Sequence, residues 1–354
     1  MHPVIYKLPD VSDSPVVLAT TGLSYDVYPS PKLIRLGYNT ILEKLNIPYV
    51  LSNPYHKTGL AFDFDRTDKN SMEAIVKKAF GLKKADLKPF CPLWEIITFM
   101  EAYVGLNKKA VTVSTNMSEL MEEVTAVHKK IHKGSTYAVT DASSKGKKGA
   151  AADLVYHYFS SVDLDENAYV HLLCQELSLL LGKQAVGSSM ILQVFDVNTD
   201  ILSGLVYLMS SYYKESYVFK PSVVSDLSNE KYLIFLQLKS KPELPSLAMK
   251  DSMYLSDISV VIPEIFTYAI QCINADLIPR KLNLYQSIKK YVDSRVYEGV
   301  THDDMIAQQD SNASEWIESF GSSKKAAKLI ETELTRTSQI CDRAAEYNNA
   351  FAMI

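Results

Sequence analysis

No stretch of this chain is both long and apolar enough to cross a bilayer, and its first residues lack the basic-then-apolar pattern of a secretory leader. A soluble, cytoplasmic protein is expected. Cysteine is scarce: Cys91, Cys174, Cys272 and Cys341 stand far apart, with no CxxC pair. That argues against a zinc ribbon or a disulfide framework and leaves reduced thiols. An excess of positive charge is lacking too. With a formal net charge of −4, nothing draws nucleic acid to the chain as a whole, so an RNA partner must meet a local basic patch. His128 and His132 stand four apart, but no glutamate between them completes HExxH, and no metal is expected. The lone DxD of Asp63 and Asp65 reads as a solvated turn.

What the sequence does have is apolar segments of strand and helix length in alternation. At 47% hydrophobic and 22% charged, 354 residues can bury one large core or two modest ones. The stretch 187–238 carries the clearest pattern: a strand at 190–195, a helix at 199–213, and strands at 216–220 and 230–238. The last two are joined by too few residues for a parallel crossover, so they are expected to pair antiparallel. Upstream, 1–14 reads as a surface arm and 15–20 as a strand. A helix follows at 31–46, then a short strand at 48–51, and helices at 71–80 and 92–104. Strands at 109–115 and 136–140 flank a helix at 117–132, a lysine-rich loop follows, and 164–181 reads as helix. The fold class expected is α/β, a doubly wound Rossmann-like sheet over 1–241 ending in an antiparallel hairpin. The remainder, 242–354, reads as a helical extension: helices at 260–274 and 282–296, a polar loop at 298–312, and a charged helical tail that docks on a partner or frays.

The segments YAVTD at 137–141, GSSMILQVFD at 187–196 and YYKESYVFKPSVVSDLSNEKYLI at 212–234 resemble the core of the FtsJ-like RNA 2′-O-ribose methyltransferases. The likeness is to the cap-methylating branch found in eukaryotes and in large cytoplasmic DNA viruses. Lys220-Pro221 and Glu230-Lys231-Tyr232 keep the family spacing, and the resemblance covers roughly 109–240. It implies a methyltransferase sheet, S-adenosylmethionine as cofactor, RNA as substrate, and a Lys-Asp-Lys-Glu tetrad around a ribose hydroxyl. Carried over, Asp141 takes the aspartate place, Glu230 the glutamate place and Lys32 the first lysine place. Gln193 falls in the slot of the second lysine.

Departures from the family pattern converge on that site. An amide cannot take up a proton near neutral pH, so Gln193 removes the group that steers and deprotonates the hydroxyl. The Gly-rich cofactor turn is missing; the candidates are ATTGLSY with Gly22 and SNPYHKTGLAF with Gly59, with Asp141 as a further cofactor contact. Lys145, Lys147 and Lys148 on the loop after Asp141, with Lys220, are candidate RNA contacts. Three readings follow: a catalytically impaired homologue that binds RNA or supports an active capping enzyme, an active cap 2′-O-methyltransferase, or a virion scaffold that uses its C-terminal helices to bind a partner.

Overall fold

The computed structural model describes residues 2–11, 24–26, 44–82, 86–104, 110–131, 136–141, 151–159, 166–240, 254–258 and 260–351. Its centre is a mixed seven-stranded sheet. The strands are β1 (Val4–Lys7), β3 (Ala110–Thr115), β4 (Thr136–Asp141), β5 (Ala152–His157), β6 (Gln184–Val194), β7 (Tyr213–Lys220) and β8 (Lys231–Leu238), in the order β1-β7-β8-β6-β5-β3-β4. A separate antiparallel pair joins β2 (Ser24–Asp26) to β9 (Tyr254–Asp257).

From β4 through β3 and β5 to β6 the pairing is parallel. β8 then runs antiparallel to β6 and to β7, so β7 again points the same way as β6. The fold is therefore α/β. The chain leaves β3 outward to β4, and then builds β5 and β6 on the other side. That reversal puts a topological switch point between β3 and β5, where open α/β sheets receive ligands.

Helices cover both faces. One carries α5 (Glu166–Gly182), α6 (Asp200–Tyr212) and α7 (Glu264–Ser294), packed on Val155, Leu192, Val218 and Leu233. The other carries α2 (Met72–Phe80), α3 (Leu87–Val104), α4 (Ser118–Ile131), α8 (Val300–Phe320) and α9 (Ser323–Phe351), packed on Tyr156, Ile191, Phe219 and Ile234. α1 (Ile47–Ser52) and a 3₁₀ turn at Pro54–Gly59 rest on α7. Burial on both faces is why the strands read as unbroken apolar runs. Local caps fix the helix starts: the Ser71 side chain accepts from Ala74 N–H and that of Thr199 from Leu202 N–H. α6 is buried almost all round and approaches its neighbour closely at Gly204, where a Cβ would stand 2.3 Å from Ile258.

Several expectations need correction. The N-terminal arm contains β1, an edge strand with Val4, Ile5 and Tyr6 buried, paired antiparallel with β7. The strand expected at 48–51 is α1, started by Pro48 in its first turn and capped by Asn46. No strand was anticipated at 152–157, yet β5 lies in the middle of the sheet. The helices at 260–274 and 282–296 are one, α7, which runs through Pro279. The polar loop at 298–312 is most of α8, whose Trp316 and Phe320 anchor in the core. The charged tail α9 packs on β1, α3, α7 and α8, with Ala326 and Ile330 fully buried. The strand at 15–20 and residues 31–43 of the helix expected at 31–46 lie outside the described residues, and 44–46 are not helical.

Candidate functional site at the carboxyl edge of the sheet

The registers place one end of every long strand on a common edge. Thr115 is opposite Asp141 and Tyr156, His157 opposite Leu192, Val194 opposite Lys231, and Val4 opposite Lys220. The ends of the strands that the resemblance singles out therefore do meet on one edge. The proposed tetrad does not assemble there. β4, which carries Asp141, is four inter-strand steps from β8, about 19 Å at the usual spacing. Asp141 and Glu230 cannot hold one hydroxyl between them.

Gln193 and Glu230 are brought together. Gln193 is opposite Tyr232, and side chains two apart on a strand share a face, so Glu230, Tyr232, Gln193, Tyr156 and Tyr158 converge from three neighbouring strands. Tyr232 Oη donates to Glu230 Oε1 at 2.6 Å. The Tyr158 phenol stands beside Gln193 and Glu230; burial, then the Glu230 charge, raises its pKa. Gln193 is 1% exposed. Its Oε1 accepts from Phe159 N–H at 2.8 Å, and its backbone oxygen accepts from Tyr169 Oη at 2.8 Å. The Gln193 amide also faces the Tyr158 phenol, and the Tyr156 phenol faces that of Tyr232.

Where the tetrad aspartate would have to stand to reach Gln193, the end of β5 offers His157 and Tyr158. His157 is buried on the opposite face, and desolvation pulls its pKa down to about 4, leaving a neutral imidazole. The cluster can therefore hold a polar group by hydrogen bonds. It has no lysine to draw a proton from a hydroxyl.

Lys220 is not available for RNA. It is buried, and its Nζ donates to the carbonyls of Ser225, Ser228 and Glu230 at 2.9, 2.7 and 3.1 Å. Burial, with Lys231 alongside, lowers its pKa to about 7. All three ammonium protons are taken up in shaping the 221–230 loop. Lys231 is likewise committed, to Asp196 at 2.5 Å and to Asn229 O at 3.1 Å. Burial raises the Asp196 pKa, but the ammoniums of Lys231 and Lys281 outweigh it and hold the carboxylate below its ordinary value.

Two features of this edge escaped the sequence reading. Glu95 of α3 is fully buried and accepts from Ser222 N–H and Oγ–H at 2.8 and 2.7 Å and from Trp316 Nε1–H at 2.7 Å. It ties the loop after Lys220 to α8, and desolvation pushes its pKa up to about 7. At the switch point, Asn116 donates from Nδ2 to Tyr158 O at 2.7 Å and accepts from Tyr158 N–H at 3.0 Å. Its amide extends the β3–β5 ladder by one step and closes the crevice between them. The turn between β3 and α4 is Asn116-Met117, braced by Met117 N–H donating to Thr115 Oγ1 at 3.0 Å. It has no glycine, and Glu119 in the first turn of α4 opposes an anionic ligand there. The DLVYHYF alternation at 153–159 was the signal for β5 and its tyrosines.

Gly59 closes the 3₁₀ turn against Ile288, 2.9 Å from where its Cβ would be, and follows no strand. Packing explains it, not cofactor approach. Gly22, Lys32, Lys145, Lys147 and Lys148 lie outside the described residues. Asp65 pairs with Lys57 and Lys88, and Asp63 accepts from Asp65 N–H at 2.9 Å, which is a turn. Among the described residues no three His, Cys, Asp or Glu side chains are grouped to hold a metal, and no helix is long and apolar enough to cross a membrane.

No family model matches the sequence. A crystal structure from Listeria monocytogenes, presented as that of a class I S-adenosylmethionine-dependent methyltransferase, aligns with 61% of this chain and 81% of its own at 8% identity. Its TM-score of 0.33 is too low for the likeness to carry an inference. The "Uncharacterized protein R383" of Acanthamoeba polyphaga mimivirus is 35% identical over 357 aligned residues, which span 99% of this chain and all of that protein. Identity at that level from end to end makes this chain a member of the same protein family as the mimivirus protein.

Proposed function

We propose that the chain is a methyltransferase-fold protein of viral RNA processing that has given up 2′-O-methyl transfer and serves as an RNA-binding or enzyme-supporting subunit. The observation that carries this reading is Gln193: its amide sits where the resemblance puts the proton-abstracting lysine, locked to Phe159 N–H beside Glu230. The strand arrangement supports it, with parallel strands finished by an antiparallel hairpin whose lysine and glutamate keep the family spacing. The mimivirus relative supports a setting in a large DNA virus, with the host cytoplasm or virion as location.

A second reading, retained S-adenosylmethionine binding, has one observation in its favour. Asp141 ends the strand beside β3, where nucleotide-binding sheets place an acid for the ribose hydroxyls. Calorimetry with S-adenosylmethionine and its demethylated product, on the wild type and Asp141→Ala, tests both readings together with a methyl-transfer assay on capped RNA. No transfer is expected. Transfer above background by the purified chain overturns the proposal, and saturable cofactor binding lost in Asp141→Ala establishes the second reading.

A further inference from the structure

α4 starts at the carboxyl end of β3, and its last turn lies about 20 Å along the helix axis from that strand end. There the final turns of α2, α4 and α8 and the first turn of α9 enclose a hollow of about 440 Å³. Phe80, Val127, Ile131 and Ile317 give it an apolar wall, and Lys130 and Lys325 stand at its rim. A second hollow of about 270 Å³ adjoins it, lined by His2, Lys325, Lys328, Leu329, Thr332 and Glu333. Lys325 belongs to both, so three lysines from two distant segments form a track along two successive hollows.

These cations are available. Lys130 has no ion pair among the described residues, and its Nζ hangs over Gly81, 3.7 Å from where a Cβ would be. Lys328 also has none. Lys325 pairs with Glu318 at 2.5 Å, but both side chains are more than half exposed, so the pair is weak and exchangeable. The acid of the second hollow, Glu333, is held by Arg336 at 2.7 Å. In a chain of net charge −4, apolar hollows rimmed by Lys130 and Lys328, with Lys325 in an exchangeable pair to Glu318, fit a ligand that joins a phosphate to an apolar ring.

We propose that this face binds nucleotide units of single-stranded RNA, with phosphates on Lys130, Lys325 and Lys328 and bases over the apolar walls. A free nucleotide shares that chemistry, but two adjoining hollows with a common lysine suit consecutive units of a strand. The proposal rests on the RNA-binding reading above and relocates it away from Lys220.

The test is fluorescence anisotropy of a labelled single-stranded RNA 12-mer with the full chain at 50 and 200 mM salt. It compares the wild type with Lys130→Glu/Lys325→Glu/Lys328→Glu and with Lys145→Glu/Lys147→Glu/Lys148→Glu, each shown folded by circular dichroism. The first variant is expected to lose tenfold or more in affinity, with a salt slope shallower by about 2. The second should bind like the wild type, and millimolar adenosine monophosphate should compete only weakly. The alanine triple at 130, 325 and 328 repeats the test with less charge disturbance, and a several-fold loss is expected. Equal RNA binding by the first variant overturns the inference and leaves the RNA reading standing. No RNA binding by the folded wild type overturns both. Full competition by the mononucleotide replaces the strand with a free nucleotide, and binding of phosphatidylserine vesicles in place of RNA overturns the ligand assignment.

Discussion

Gln193 Oε1 accepts the Phe159 backbone N–H at 2.8 Å, so the amide that the resemblance aligns with a lysine is tied to the chain just beyond β5. The amide satisfies a buried donor that a lysine side chain would leave without an acceptor. Gln193→Lys is therefore expected to lower stability by roughly 3 kcal/mol, since it also places an ammonium at a position 1% exposed. Urea denaturation measures the loss, and capped RNA should gain no 2′-O-methyl group from this variant.

Lys220 acts on the loop that follows it. Lys220→Met keeps most of the bulk but abandons three carbonyls, with an expected cost of about 3 kcal/mol at about 1 kcal/mol for each bond. Hydrogen exchange should show the 222–230 amides losing protection while β5 and β6 keep theirs. Unchanged protection in the loop would contradict this role.

Glu95 and Glu166 give the stability a pH dependence. Burial raises both carboxyls to about 7, and Glu166 also receives Thr199 N–H and Oγ–H at 2.8 and 2.6 Å. A raised pKa means that the folded chain keeps protons the unfolded chain has released. Stability is then fullest below the ordinary carboxylate value of 4.5 and falls as pH rises through about 7. Urea midpoints between pH 4.5 and 8 should decline, and Glu95→Gln should remove part of that slope, at most about 1.4 kcal/mol per pH unit. An identical slope in the variant would show that Glu95 does not titrate in this range.

Thr337 fastens the last helix to the first strand. Its Oγ1 donates to Ile5 O at 2.6 Å, so α9 covers the edge of β1 that no strand pairs. Thr337→Val should cost about 1 kcal/mol and speed amide exchange in β1. Removing 321–354 uncovers Ile5 and the edge together, and the shortened chain is expected to self-associate in light scattering where the full chain does not.

The local elements were legible where periodicity and caps agreed. Ser71 before an apolar helix, Thr199 before α6, and the short polar link between β7 and β8 announced their structures because neighbouring residues decide caps and hairpins. The 298–312 segment misled because its anchors, Trp316 and Phe320, come late, and a polar first half looks like a loop until those aromatics find the core. β5 was hidden behind the lysine-rich loop, and missing it shifted the strand order. That one shift is why Asp141 was assigned to a tetrad it cannot reach.

The sequence by itself determined the α/β class and the antiparallel finish, since these depend on residue type and short-range spacing. Only the tertiary structure decided which strand ends are neighbours, that Lys220 is consumed by its own loop, and that Lys130 and Lys325 share a hollow. Sheet order and helix packing set those distances through contacts between residues far apart in the chain, and no local pattern encodes them.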